Sequence, residues 1–338
     1  MAVKHRRRSM QYKQLGKRGP RVSRIAFGNW SAGGDWGAVN QPEAIAATRA
    51  ALELGINLFD TARAYGFGVA EELLGKALEP EIRSRRESIV IATKGGLRKT
   101  GDTIVRDSSP QALRHDLEAS LKALGTEYVD IYQVHWPDPG TPIEATAEQL
   151  DAFVREGRVR YAGVSNFDVN NLIAFQRVRP VDMLQPPYHL FRRDIEANIL
   201  PYTLAQGIGV LVYGPLAHGL LSGRMTEQTT FAAGDWRASS DLFTGAGFRQ
   251  NLTVVNDLAR FASDCGVSVA QLAIAWTLAN PAVDAAIVGA RSPEQIRHTA
   301  QAAGLTLSQA QLEEIEALLR AEASLGGPMP EAMPRRVA

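Results

Sequence analysis

The chain has a single cysteine, Cys265, in 338 residues. That excludes an internal disulfide framework and a cysteine-based zinc site, and no metal is expected; a reducing, cytoplasmic setting fits best. No apolar run approaches the roughly 20 residues of a membrane span. Neither sign of charge is in surplus: the formal net charge of +1 makes no global case for a nucleic acid or an acidic polymer as partner. A basic run, Lys4-His5-Arg6-Arg7-Arg8, does stand near the start. The polar Gln11-Tyr12-Lys13-Gln14 after it lacks the apolar stretch of a secretory or twin-arginine signal. Residues 1–10 are expected to be a disordered basic terminus and residues 324–338 a loose tail.

What is present suits one globular domain over residues 11–323: apolar residues make up 45% and charged residues 22% of the chain, enough for a sizeable core. After Pro20, short β-rich runs alternate with helical segments. The runs fall at residues 24–28, 56–60, 88–94, 128–135, 160–164, 182–186, 209–213 and 285–288. Most connections between them are long enough to hold a helix, as parallel strands require. Eight such repeats close into a (β/α)8 TIM barrel.

Helix signals agree. Ser109-Pro110 precedes Leu113, Leu117, Leu121 and Leu124 at helical spacing, and Gly125 supplies the left-handed stop. Pro42 opens a helix running to Gly55, and Ser308 with Gln311 forms a capping box ahead of Leu312, Ile315 and Leu318. Two segments depart from bare alternation. The turn cluster Gly16-Lys17-Arg18-Gly19-Pro20 predicts an N-terminal β-hairpin across the barrel bottom. A long insertion after strand seven, Gly214 to about Asn251, predicts a clamp over cofactor or substrate.

Asp60, Lys94 and His135 close three successive strand runs, with Tyr65 just beyond the first. Alone, Asp60 reads as a cap, Lys94 as a surface lysine and Tyr65 as a rim aromatic. Together at one rim, an acid, a phenol, an ammonium and an imidazole can move a proton onto a carbonyl oxygen. Gly66-Phe67-Gly68-Val69-Ala70-Glu71 approaches the dinucleotide fingerprint, but Glu71 fills its third glycine position and the acceptor carboxylate is misplaced, so a Rossmann site is rejected. Arg291 beside the helix start Ser292-Pro293-Glu294-Gln295 suits a phosphate; a plain capping box of Ser292 and Gln295 is the alternative. Trp30, Trp36 and Trp136, all in strand-to-helix loops, suit an aromatic wall around a substrate.

Residues 12 to 320 resemble the aldo-keto reductase family. The matching strings are Phe59-Asp60-Thr61-Ala62 through Tyr65-Gly66, Glu71-Glu72-Leu73-Leu74-Gly75, Thr93-Lys94, Val134-His135-Trp136, Gly163-Val164-Ser165-Asn166-Phe167, Gln185, Tyr213-Gly214-Pro215-Leu216 and Val288-Gly289-Ala290-Arg291. The resemblance implies the barrel, a small-molecule aldehyde or ketone as substrate, and a nicotinamide dinucleotide. It makes Tyr65 the general acid. A free phenol has a pKa near 10, and a drop of about 3 units beside Lys94 corresponds to roughly 4 kcal/mol. Asp60 would pair with Lys94, and His135 would orient the carbonyl. Ser165, Asn166 and Gln185 would hold the carboxamide, with Tyr213 stacked on the ring and Trp30 and Asp60 bordering it. Gly214, Pro215, Leu216, Ser222 and Arg224 would line the pyrophosphate. Gly289, Arg291 and Gln295 would meet the adenosine phosphate, with Trp30 and Trp136 left to the substrate.

The chain departs from some members at His298 and Thr299, where they carry a Glu and an Asn for adenine, and at Gln295, often an Arg. NADPH is expected in preference to NADH on Arg291 and Arg224. The string Pro215 to Arg224 is like that of potassium-channel β subunits, which carry Asn at the position of His135. A weakly catalytic nucleotide-sensing subunit, and a sugar or polyol dehydrogenase working oxidatively, are the alternatives.

Overall fold

In the computed structural model, which describes residues 10–34, 36–101, 103–231, 235–240 and 242–322, eight parallel strands close into a barrel. The basic run Lys4 to Arg8 and the segment from Gly326 to Ala338 lie outside those residues, whereas Met10 packs against the core. An antiparallel pair, β1 (Tyr12–Gln14) and β2 (Arg21–Ser23), comes first. The barrel then runs through β3 (Ile25–Gly28), β4 (Leu58–Asp60) and β5 (Val90–Gly95). A separate antiparallel ribbon follows, β6 (Leu97–Thr100) and β7 (Thr103–Arg106). The barrel resumes with β8 (Val129–Val134), β9 (Val159–Ser165), β10 (Met183–Gln185), β11 (Gly209–Tyr213) and β12 (Ala285–Gly289), which pairs back onto β3. Each of the eight expected runs supplies one strand, in the expected order.

Helices cross between the strands: α1 (Gln41–Glu53), α2 (Val69–Ser84), α3 (Pro110–Leu124), α4 (Ile143–Arg155), α5 (Val169–Gln176) and α6 (Ile199–Gln206). Two helices, α7 (Gly245–Asp264) and α8 (Val269–Ala279), precede β12. After it come α9 (Pro293–Thr299) and α10 (Gln309–Glu322). The caps read from sequence form. The Ser109 hydroxyl accepts from Ala112 N, Gly125 closes α3 at φ +67°, and Ser308 and Gln311 bond reciprocally. Among the described residues no single helix is long and apolar enough to cross a membrane.

Strand alternation sorts the core into two parts. Leu58, Ala92, Ile131, Met183, Leu211 and Ala285 fill the barrel, while Phe27, Phe59, Ile91 and Tyr132 point out beneath the helices. The same period turns Asp60, Lys94 and Gln133 inward, one step nearer the carboxyl rim. At the opposite end the hairpin inserts Leu15 as a plug. Gly16, at φ +58°, lies so close to β11 that a Cβ would come within 2.3 Å of Gly209 N. Asp284 fastens this closure: one carboxylate oxygen accepts from Gly16 N and Val210 N, both at 3.0 Å, and the other meets Lys13 Nζ at 2.8 Å. Asp284→Ala leaves two amides without their acceptor. It is expected to cost about 2–4 kcal/mol, read as a lower denaturant midpoint at unchanged slope; an unmoved midpoint would remove Asp284 from the closure.

Two segments differ from expectation. The insertion after β11 ends sooner than Asn251, because α7 begins at Gly245, where Phe248, Leu252 and Val255 recur on one buried face. It contains short 3₁₀ turns at Ala217–Ser222 and Trp236–Ser239. The ribbon β6–β7 was not expected. Its sequence signal is the dipeptide Gly101-Asp102 between the β-branched Thr100 and Thr103.

Candidate active site

Tyr65 stands on a tightly folded loop. The backbone N–H groups of Thr61 and Arg63 donate to the carbonyls of Ala92 and Lys94, carrying the chain across the end of β5. Gly66, Phe67 and Gly68 then take left-handed φ values of +62°, +49° and +113°. Gly66 presses on Gly33 of the loop after β3, so that a Cβ on it would stand 2.5 Å from Gly33 O. Tyr65 is thereby held between two loops, with its ring stacked on Trp30 at 6.0 Å between centroids.

Lys94 is almost fully buried, at 1% exposure. Its Nζ lies 2.7 Å from Asp60 Oδ2, donates to Thr61 O at 2.9 Å, and reaches the Tyr65 hydroxyl at 3.4 Å. Burial pulls the ammonium below its ordinary pKa, and the Asp60 carboxylate works in the opposite direction. Asp60 Oδ1 accepts from the Gln185 side chain at 2.9 Å, which leaves neither carboxylate oxygen idle. The His135 ring meets the Tyr65 ring edge-on at 5.8 Å. Part of that residue faces open space, yet enough protein surrounds the ring that burial, followed by the Lys94 charge, holds its pKa well below the usual value. The imidazole is therefore neutral at physiological pH. Its Nδ1 is buried with no hydrogen-bond partner among the described residues.

Beside His135 the residues expected at the carboxamide form one network. Asn166, itself at φ +62°, donates through Nδ2 to His135 O and Ser165 Oγ, both at 3.0 Å. The Tyr213 hydroxyl donates to Asn166 Oδ1 at 2.9 Å, and Ser165 Oγ to Gln185 O at 2.8 Å.

All these groups except Lys94 open onto a single cleft of about 660 Å³ at the carboxyl rim. Trp30, Asp60, Tyr65, His135, Trp136, Ser165, Asn166, Gln185 and Tyr213 line its inner part. Gly214, Pro215, Leu216, Ser222, Arg224, Gly289, Arg291 and Gln295 carry it outward between β11 and β12. Lys94 alone of the expected residues does not line it, lying beneath Asp60 and Tyr65. The capping box weighed as the alternative at Ser292 forms only by half. Ser292 Oγ accepts from Gln295 N at 3.3 Å, but the Gln295 side chain accepts from Arg291 N at 2.7 Å instead of from Ser292 N. The Arg291 guanidinium donates to Trp36 O at 3.1 Å.

The roof was only partly foreseen. Trp36 packs edge-on to Trp30 at 5.0 Å, His218 stacks on Trp36 at 6.0 Å, and Trp236 meets His218 edge-on at 5.0 Å. Arg237 lies over the Trp36 ring at 4.7 Å and pairs with Asp235 at 2.6 Å. Ile104 reaches the cleft from the ribbon. Sequence reasoning missed Trp236, Arg237 and Ile104 as lining residues. An aromatic residue within a long rim insertion was the signal for Trp236, with Arg237 beside it; Ile104 needed the ribbon.

A closed parallel barrel whose carboxyl rim gathers a buried ammonium, a carboxylate, a phenol and a neutral imidazole at one cleft defines a barrel of the aldo-keto reductase class. The chain belongs to the aldo/keto reductase family, whose model matches residues 24–320. It is 40% identical over 312 residues to the aldo-keto reductase YhdN of Bacillus subtilis (strain 168), covering 92% of this chain and 94% of that one. It is 33% identical over 309 residues to the NADH-specific methylglyoxal reductase of Escherichia coli (strain K12), covering 86% and 92%. At 33% identity over 329 residues it also resembles a probable voltage-gated potassium channel subunit beta of Oryza sativa subsp. japonica, covering 93% and 98%. The glycerol dehydrogenase AKR11B4 from Gluconobacter oxydans superposes with a TM-score of 0.84 at 34% identity, covering 96% of this chain and 98% of that one.

Proposed function

We propose that this protein reduces an aldehyde or ketone to an alcohol with NADPH, and that Asp60, Tyr65, Lys94 and His135 are its catalytic residues. The observation that carries the reading is the buried Lys94 ammonium 3.4 Å from the Tyr65 hydroxyl. The cleft suits a dinucleotide: Ser165, Asn166, Gln185 and Tyr213 line its inner part, and Arg224 and Arg291 line it beyond β11 and β12. When bound, the nicotinamide supplies the hydride.

The chain's own part is to bind the carbonyl, orient it and deliver a proton. Tyr65 gives its hydroxyl proton to the carbonyl oxygen, and the Lys94 charge stabilises the phenolate left behind. Asp60 keeps that ammonium charged and aimed, being itself fixed by Gln185. His135, neutral, donates an N–H to the same oxygen and sets its position. Trp30, Trp36 and Trp136 wall the site. Ser165, Asn166 and Gln185 would hold the carboxamide, Tyr213 would lie against the ring, and the segments around Gly214, Ser222 and Gly289 would hold the phosphates.

Purified protein is expected to consume NADPH with 4-nitrobenzaldehyde. No rate above buffer across a broad aldehyde and ketone series, with NADPH tightly retained, would overturn the reading in favour of a nucleotide-sensing subunit. The intact His135 counts against that alternative. The oxidative direction is separated by comparing NADPH plus carbonyl with NADP plus a polyol.

The preference for NADPH rests on Arg224 and Arg291, and the NADH-specific relative makes it a point to measure on this chain. Arg291→Ala is expected to raise the Kd for NADPH about tenfold, near 1.4 kcal/mol, and to leave that for NADH within twofold. Equal losses for both would show that Arg291 does not read the 2′-phosphate.

A further inference from the structure

Behind the four residues at the rim, on the outer side of the barrel wall, lies a second set of buried polar groups that the proposed reaction does not use. Strand alternation creates it: Lys94 points into the barrel, so Thr93 points out, toward the first turn of α2. There Glu71 is wholly buried, at 0% exposure. Thr93 Oγ1 donates to Glu71 Oε1 at 2.7 Å, and Glu71 Oε2 lies 4.0 Å from Arg63 Nη1. Arg63 belongs to the loop that carries Tyr65. Its Nη1 donates to Phe67 O at 2.5 Å and its backbone N–H to Lys94 O at 3.0 Å. The guanidinium also fills the space beside Gly68, where a Cβ would meet Nη1 at 2.3 Å. One carboxyl thus hydrogen-bonds α2 to the Lys94 strand and reaches the Tyr65 loop through a longer ionic contact, at 4.0 Å. The other charged or titratable groups near it are Lys94, Tyr132 of β8, and Asp116 of α3, which accepts from Gly96 N at 2.9 Å and has His115 at 3.5 Å.

That loop needs bracing. Phe67 holds φ at +49°, a conformation that costs a non-glycine residue about 1–2 kcal/mol and persists only where its surroundings over-determine it. The Tyr65 hydroxyl is 3.4 Å from Lys94 Nζ, a distance that relaxation of the loop would readily lengthen.

We propose that Glu71 is a positioning residue: through Arg63 and Thr93 it sets the separation between the Tyr65 hydroxyl and the Lys94 ammonium. The proposal rests on that pair acting as the proton donor. Its sign is diagnostic. Deleting a neighbouring negative charge, by itself, lowers a phenol's pKa, whereas drawing the phenol away from an ammonium raises it.

The test is the ultraviolet titration of tyrosinate in the cofactor-free protein, with Tyr65 isolated by subtracting the same protein carrying Tyr65→Phe. Glu71→Met is expected to move the Tyr65 midpoint up by about one unit. In parallel, kcat should fall about tenfold while the Kd for NADPH stays within twofold. Thr93→Val changes no charge and should move the midpoint the same way, so it carries the test if Glu71→Met does not fold. A midpoint that is unmoved or lowered in a folded variant overturns the proposal. A midpoint that responds to Lys94→Met but to neither of these variants overturns this proposal alone; one that ignores Lys94→Met overturns the reading of the pair itself.

Discussion

Tyr65→Phe is expected to lower kcat about a thousandfold while leaving NADPH binding intact, read as quenching of the protein's tryptophan fluorescence. The substitution is sparing. Phenylalanine keeps the ring stacked on Trp30 at 6.0 Å and edge-on to His135 at 5.8 Å, and loses only the hydroxyl 3.4 Å from Lys94. What disappears is the transferable proton, and a positioned general acid contributes about 10²–10⁴-fold to a rate. His135 is a poor substitute donor, because an imidazole held well below its usual pKa is neutral and gives up its remaining N–H proton with difficulty. Near-normal turnover by Tyr65→Phe would take the acid role from Tyr65 and require another source for the proton.

Lys94→Met has the second large effect, on stability as well as rate. The ammonium is nearly inaccessible and makes three polar contacts. Its removal strands the Asp60 carboxylate in a buried site with Gln185 as its remaining hydrogen-bond donor. Breaking a buried ion pair from one side costs about 3–5 kcal/mol, most of it the uncompensated partner. The same change deprives Tyr65 of the charge that makes its proton available, so kcat should fall at least a hundredfold. The combined variant Lys94→Met, Asp60→Asn separates the two effects. Stability should return in large part, because no lone charge remains, whereas the rate should not. A single Lys94→Met protein as stable as the parent would mean that the pair is solvated and its apparent burial has no energetic consequence.

Much of the fold was legible because its signals are local. Capping serines at 109 and 308, the stop at Gly125 and the eight β-rich runs each depend on a handful of neighbouring residues. Crossovers long enough for helices then leave parallel pairing as the arrangement that satisfies the backbone. The ribbon Leu97–Arg106 escaped because its turn signal is two residues long and sits where a barrel loop was already expected. The start of α7 was placed late because the glycines near 245 resemble the loop before them, while the buried stripe through Phe248 and Leu252 begins only a turn later. At the site, spacing along three strands was enough to place Asp60, Lys94 and His135 on one rim. It was not enough to find Trp236 and Arg237, whose place over the cleft depends on the path of an irregular segment, or to show that the Gln295 side chain engages the Arg291 amide.

Local chemistry therefore determined the order of elements, the inward face of each strand and the rim on which Asp60, Tyr65, Lys94 and His135 meet, since a two-residue period and a parallel crossover are properties of short stretches. Only the folded barrel decided how deep Lys94 lies, that Gln185 reaches across 125 positions of chain to fix Asp60, and that Glu71 turns away from the cleft to meet Thr93 and Arg63. Those facts are distances between segments remote in the chain. Such distances are set by barrel closure and by the close contact of one loop with another.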